Sequence, residues 1–193
     1  MSIIVIGGSR KDSGKTTLVC GVVAALREFG WTAVKITGHD YEPANSAASR
    51  AGISKQTIFE ETSAGAETDT ALYLAAGARR ALLVSRFGVD VPMEDIRKAL
   101  AGDRNIIFES NWIVDAVKPD VCLAVLGGAR SEMKSSFLRL LRVADALVSV
   151  GGAEEEIVGA PPGIPRFALQ SLDSIPPEME SWLRERLHHA ERE

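Results

Sequence analysis

Short, continuous apolar runs alternate with helix-period segments along most of this chain. Ile3-Ile4-Val5-Ile6 opens it as a strand over about residues 3–7. The segment of about 15–29 then puts Leu18, Val22, Ala25, Leu26 and Phe29 on one helical face and is closed by Gly30. Thr32–Thr37 reads as a second strand, followed by a polar, small-residue loop over 38–56 and a short strand-like run, Thr57-Ile58-Phe59-Glu60. Asp69 to Ala78 has helical spacing, with Leu72, Ala75 and Ala76 expected inward and Gly77 near its end. Further strands are predicted at Ala81–Val84, Asn105–Phe108, Val121–Leu126, Ala146–Val150 and Arg166–Leu169, with helices at about 92–101, 131–143 and 177–190.

The strands are unbroken apolar runs rather than alternating ones, which is the pattern of a sheet covered on both faces. Alternation of strand and helix then predicts an α/β architecture of three layers, with a mainly parallel, doubly wound sheet and right-handed crossovers. Ligands of such sheets bind beyond the carboxyl ends of strands, here the loops after the first, second and fifth runs. No repeat, low-complexity tract or interdomain linker interrupts the pattern, so residues 1–193 read as a single domain. Ala160-Pro161-Pro162-Gly163-Ile164-Pro165 reads as a rigid loop before the last strand. The tail from Leu187 to Glu193, with His188 and His189, reads as a frayed helix end.

The junction between the first strand and the first helix carries the strongest chemical signal. Gly7-Gly8-Ser9-Arg10-Lys11-Asp12-Ser13-Gly14-Lys15-Thr16-Thr17 has the setting of a phosphate-binding loop: strand, small-residue turn, Gly-Lys-Thr, helix. A helix start presents unpaired backbone N–H groups and a partial positive charge to an anion. Lys15 reaches β- and γ-phosphates from that position, and the Thr16 hydroxyl is a ligand for a bridging Mg2+. The segment Ser9, Arg10, Lys11, Asp12, Ser13, Gly14, Lys15, Thr16, Thr17 is therefore the expected binding loop for a nucleoside triphosphate. Ser9 stands where the motif has its first glycine, which a residue with negative φ can fill.

Such a site needs carboxylates on the metal side. Asp40 follows the second strand in Thr37-Gly38-His39-Asp40-Tyr41-Glu42, and Glu109 ends the run Ile106-Ile107-Phe108 in the manner of a Walker B acid. Both are candidates for metal binding and catalysis beside Lys15. His39 is a candidate phosphate or metal contact. Lys35, inside a strand covered on both faces, needs a carboxylate partner or an anion. Asp69-Thr70 reads as an N-cap.

Bulk properties remove several classes of function. The net charge of −4 leaves no electrostatic footprint for nucleic acid or anionic lipid. No stretch approaches a membrane span and the N-terminus enters a core strand directly, so the expected location is cytoplasmic. Two cysteines, Cys20 and Cys122, are too few for a disulfide framework or a zinc site and read as small hydrophobes.

Three blocks resemble the molybdopterin-guanine dinucleotide biosynthesis protein B (MobB) family of small P-loop NTPases. They are Gly14-Lys15-Thr16-Thr17-Leu18; Val34-Lys35-Ile36-Thr37-Gly38-His39-Asp40-Tyr41-Glu42; and Asp69-Thr70 followed by Ala76-Gly77-Ala78. The resemblance covers roughly the first 85 residues. It implies a P-loop NTPase-type domain that binds GTP with Mg2+, hydrolyses it weakly, forms a homodimer and assists a molybdenum-cofactor nucleotidyltransferase. On it, Lys15 and Thr16 carry over directly, Asp40 and Glu109 become the magnesium-side acids, and Lys35 and His39 become anion or partner contacts. The chain departs from the family at Ile36 and at Glu109-Ser110-Asn111-Trp112, and it lacks an Asn-Lys-x-Asp guanine determinant. Two alternatives stay open. One is an ATP-dependent small-molecule kinase or ligase of the dethiobiotin synthetase type, its acceptor lined by Ser110-Asn111-Trp112 and Gly127-Gly128-Ala129-Arg130-Ser131. The other is a non-catalytic, nucleotide-dependent switch.

Overall fold

The computed structural model of the chain describes residues 1–38, 57–86, 91–127, 133–150, 159–169 and 174–190. Eight strands run through them: β1 (Ser2–Gly8), β2 (Thr32–Thr37), β3 (Ile58–Glu60), β4 (Arg80–Ser85), β5 (Asn105–Glu109), β6 (Val121–Gly127), β7 (Ala146–Val150) and β8 (Arg166–Leu169). The helices are α1 (Lys15–Ala25), α2 (Asp69–Ala76), α3 (Met93–Ala99), α4 (Ser135–Leu141) and α5 (Pro177–Ala190). The strands form one sheet in the order β3-β4-β2-β5-β1-β6-β7-β8. Its pairings are parallel except at one edge, where β3 lies antiparallel to β4.

Successive strand residues face opposite sides, and this sorts the apolar runs into two cores. Ile4, Ile6, Ile107, Leu123 and Val125 pack under α1, α2 and α5. Val5, Phe108, Cys122 and Ala124 pack under α3 and α4, against Ile96, Phe137 and Leu140. The sheet is thus the middle of three layers, as its continuous apolar runs predict. The chain winds from β1 out through β2 and β4, returns to β5, and crosses to β6 on the other side of β1. The strand order therefore reverses at β1, and the carboxyl ends of β1, β5 and β6 open a crevice there.

Three local readings are corrected by the structure. The first helix stops at Ala25 rather than 29, because the Trp31 indole N–H takes the Leu26 carbonyl at 2.8 Å. A short 3-10 turn, Arg27–Phe29, follows and Gly30 closes it at φ 61°. On α2 the buried residues are Thr70, Ala71 and Tyr73, whereas Leu72 is 50% exposed and Ala75 is exposed. Of the expected frayed tail, helix α5 continues through Ala190 with Leu187 in the core and the His188 ring 6.3 Å from that of Phe29, while residues 191–193 lie outside the described residues. No helix among the described residues is long and apolar enough to cross a membrane.

Helix α5 closes the first core through Met179, Leu183 and Leu187, spaced one turn apart and all without solvent exposure. Pro177 and the acids Glu178 and Glu180 suit its first turn. Leu183→Ala is expected to lower stability by about 2–5 kcal/mol, the range for emptying a buried leucine site. Urea unfolding checks this: the midpoint should fall with the slope unchanged.

Candidate functional site

The loop from Ser9 to Gly14 fills the crevice at the end of β1. It turns through Asp12 at φ 57°, the one described non-glycine residue in the left-handed region, and through Gly14 at φ 91°. A side chain at Gly14 would also fall 2.6 Å from Val150 Cγ2, so both space and conformation require glycine there. Ser9 is not in the left-handed region and replaces the motif's glycine without backbone strain. Its N–H donates to the Val125 carbonyl at 3.0 Å, and its Oγ accepts from the Gly127 N–H at 3.5 Å. Serine at this position thus ties the loop to β6.

The first intrahelical bond of α1 runs from the Leu18 N–H to the Gly14 carbonyl at 2.9 Å. The N–H groups of Lys15, Thr16 and Thr17 therefore lie ahead of the helical ladder. No side chain caps this end and no acid lies in its first turn, so its dipole favours an anion without competition. Lys15 Nζ bridges the loop, donating to the Arg10 carbonyl at 2.8 Å and Ser13 Oγ at 3.3 Å. Burial holds this ammonium below its ordinary pKa; Glu109 opposes the shift, and Lys35 and Lys134 add to it. Arg10, Lys11 and Asp12 are exposed and line the mouth of the same cleft.

Glu109 ends β5 on the cleft floor and is 4% exposed. Its Oε2 accepts from Thr16 Oγ1 at 3.0 Å and from the Tyr73 hydroxyl; its Oε1 accepts from Lys35 Nζ at 3.2 Å. Lys35 also donates to Asp69 Oδ2. Four elements meet on one carboxylate: α1, α2, β2 and β5. Burial lowers the Lys35 pKa, but the Glu109 and Asp69 carboxylates outweigh it and the net shift is upward. Burial, with Glu109 beside it, pushes the Tyr73 phenol well above its ordinary value of 10.0. The Thr16 hydroxyl and Glu109 carboxylate are hard oxygen donors of the kind magnesium takes, and they fit such an ion at the loop mouth. Among the described residues no three His, Cys, Asp or Glu side chains form a metal cage, so the rest of a shell would come from phosphate oxygens and water.

Together these residues line a cleft of about 880 Å³ that runs from Val150 and Lys134 past the loop to Asp69, Leu72 and Trp112. Of the sequence-predicted residues, the whole loop, Lys35 and Glu109 come together here. His39 and Asp40 lie outside the described residues, as does the 128–131 part of the proposed acceptor loop. Asp69 does not cap α2: Thr68 does, its Oγ1 accepting from the Ala71 N–H at 3.1 Å, which frees Asp69 for Lys35. Sequence reading missed Tyr73. Its signal was present, since Tyr73 lies four residues after Asp69 and therefore on the same helical face. Cys20 lines the cleft, but burial raises its thiol to about 11, and that of Cys122 to about 12, so both stay protonated.

A strand–loop–helix unit carrying Gly-Lys-Thr at the switch point of a mainly parallel sheet, with helices on both faces, is the arrangement of a P-loop NTPase-like fold. Among solved structures the chain is similar to LpxK from Aquifex aeolicus in complex with ATP, at a TM-score of 0.51 and 16% sequence identity. The match covers 87% of this chain and 53% of that one, so the chain spans about half the length of LpxK. No family profile and no curated protein matches the sequence.

Lys35 and Tyr73 both have raised pKa values, so the stability they contribute is full below about pH 10 and is lost as pH rises through the shifted values. Of the chain's two tyrosines, Tyr73 is expected to ionise only with alkaline unfolding. Tyrosinate absorbance checks this: Tyr73→Phe should remove the late, cooperative component of the titration and leave the other phase in place.

Proposed function

We propose that this chain binds ATP with magnesium in the cleft and transfers the γ-phosphoryl group to a small acceptor held beside Asp69. The observation that carries this reading is the convergence of the α1 N-terminus, Lys15, Thr16 and the buried Glu109 on one cleft. The likeness to LpxK in complex with ATP supports adenine over guanine as the base. In this reading the amides of Gly14 to Thr17 hold the β- and γ-phosphates, Lys15 leaves the Arg10 carbonyl to neutralise them, and Thr16 with Glu109 holds the ion. Magnesium, when bound, would supply neutralisation of the phosphate charge.

Glu109 is buried and already accepts three hydrogen bonds, which leaves it poorly placed to take an acceptor proton. Asp69 is the carboxylate with access: its side chain is 38% exposed and it lines both the main cleft and the adjoining recess with Leu72. The acceptor hydroxyl attacks the γ-phosphorus, its proton passes to Asp69, and ADP leaves with the bridging oxygen's electron pair.

A second reading, a GTP-binding accessory to a molybdenum-cofactor nucleotidyltransferase that acts as a homodimer, is favoured by one observation. Lys35 and Asp69, from two separate sequence blocks of the MobB resemblance, pair with each other, and Lys35 also reaches Glu109, which accepts from Thr16 of the third block.

Titration calorimetry with ATP and GTP, with and without magnesium, separates the readings. Magnesium-dependent ATP preference together with hydrolysis stimulated by an acceptor supports the first. GTP preference with a rate flat to metabolites supports the second, and no binding of either removes both. Lys15→Ala is expected to weaken ATP binding about 10- to 100-fold, the effect of losing roughly 1.5–3 kcal/mol of charged hydrogen bonding. Asp69→Asn should leave ATP affinity within about threefold and lower acceptor turnover by about 100-fold or more. Steady-state kinetics beside the calorimetry reads that split.

A further inference from the structure

The ladder between β1 and β5 ends at Glu109, where the Ser110 N–H donates to the Ile6 carbonyl at 3.0 Å. In a strand, N–H and C=O groups of alternate residues face the same neighbour, so Gly8, like Ile6, turns both its groups toward β5. By then the β5 backbone has turned away into the 3-10 turn Ile113–Asp115. A side chain completes the ladder instead. Asn111 Oδ1 accepts from the Gly8 N–H at 2.8 Å, and Asn111 Nδ2 donates to the Gly8 carbonyl at 3.0 Å and to Ser136 Oγ at 3.5 Å. The amide group copies the donor and acceptor of a peptide, and its orientation is fixed because the Gly8 N–H can donate only to its oxygen and the Gly8 carbonyl can accept only from its nitrogen. Gly7 shows the same fit from the other side. A Cβ there would overlap Asn111 Oδ1 and the Leu140 side chain.

We infer that Asn111 is a positioning residue of the phosphate site: it holds β1 in strand geometry to its last residue while β5 departs, and so fixes where the loop begins. This rests on the nucleotide-binding reading above. Asn111 touches no phosphate in that scheme and acts through Gly8, whose neighbour Ser9 is tied to β6. Both walls of the opening are then set by hydrogen bonds to consecutive loop residues. Without Asn111, Gly8 turns to water and the amides ahead of α1 lose their common aim.

Magnesium-ATP titrations at neutral pH on the wild type, Asn111→Ala, Asn111→Asp and, as a stability control away from the cleft, Leu183→Ala test the inference, with urea unfolding of each alongside. Asn111→Ala is expected to weaken ATP binding about tenfold. Asn111→Asp keeps the shape but turns a second acceptor toward the Gly8 carbonyl, and should weaken binding at least as much. Leu183→Ala should lower the urea midpoint and leave the ATP affinity of the folded protein within about twofold. A merely structural role of Asn111 predicts instead that affinity follows the urea midpoint in all three variants. If the wild type binds ATP and both Asn111 variants match it, or Leu183→Ala loses affinity in the same proportion to its midpoint, the inference fails and the nucleotide reading stands. If the wild type does not bind, both fall. Should one variant fail to fold, the other decides.

Discussion

A single buried carboxylate organises the functional end of this molecule. Taking Glu109 out of water costs several kcal/mol unless its oxygens are satisfied, and the chain satisfies them from three separate elements. Thr16 arrives from α1, Lys35 from β2 and Tyr73 from α2. Removing any one leaves a buried acceptor short of a donor. The network therefore fixes how the first two helices sit over the sheet, as well as what lines the cleft. The same requirement explains the rotation of α2. For its phenol to reach Glu109, Tyr73 must face inward, and Leu72 is then carried out to the cleft rim at 50% exposure.

This constraint also marks the limit of what the sequence reveals. The layered architecture was legible because every strand but the edges is buried on both faces and reads as a continuous apolar run. The loop after β1 was legible because its signature is local: glycine, lysine and threonine fall within nine residues, from Ser9 to Thr17, between a strand and a helix that the structure also places there. What escaped notice depended on distant partners. Periodicity assigned Leu72, Ala75 and Ala76 to the buried face of α2 on apolarity alone; Ala76 does pack against the core, but Leu72 and Ala75 are exposed, and a polar contact across 36 residues brings Tyr73 inward. The cap was expected at Asp69-Thr70 rather than at Thr68 for a related reason. Either residue type can cap, and the Lys35 contact that commits Asp69 elsewhere spans 34 residues. The first helix overran by four residues because nothing local announces that Trp31 will capture the Leu26 carbonyl.

Ser9 and Asn111 show how a loop can depart from its motif and keep its shape. A glycine in the first motif position serves conformation, and the structure has no need of it, since Ser9 lies outside the left-handed region. The hydroxyl then becomes available to accept from Gly127, giving the loop a tie to β6 that a glycine lacks. Departures of this sort weaken a pattern match without disturbing the loop, because the backbone amides ahead of α1 keep their place whichever residue fills the first motif position.

Charge is divided unevenly within the cleft. On its floor one ammonium, Lys35, lies between two carboxylates, Asp69 and Glu109. Around the loop, Arg10, Lys11, Lys15 and Lys134 line the same space against the single acid Asp12. The cationic side of the cleft therefore lies with the α1 N-terminus, although burial disfavours the charged form of Lys15. The polyphosphate proposed above would meet favourable surroundings at the loop and repulsion at the floor. The magnesium proposed beside Thr16 and Glu109 would offset that repulsion while Lys35 stays paired with Asp69. The metal dependence proposed for nucleotide binding rests on this local contrast between loop and floor, rather than on the charge of the whole cleft.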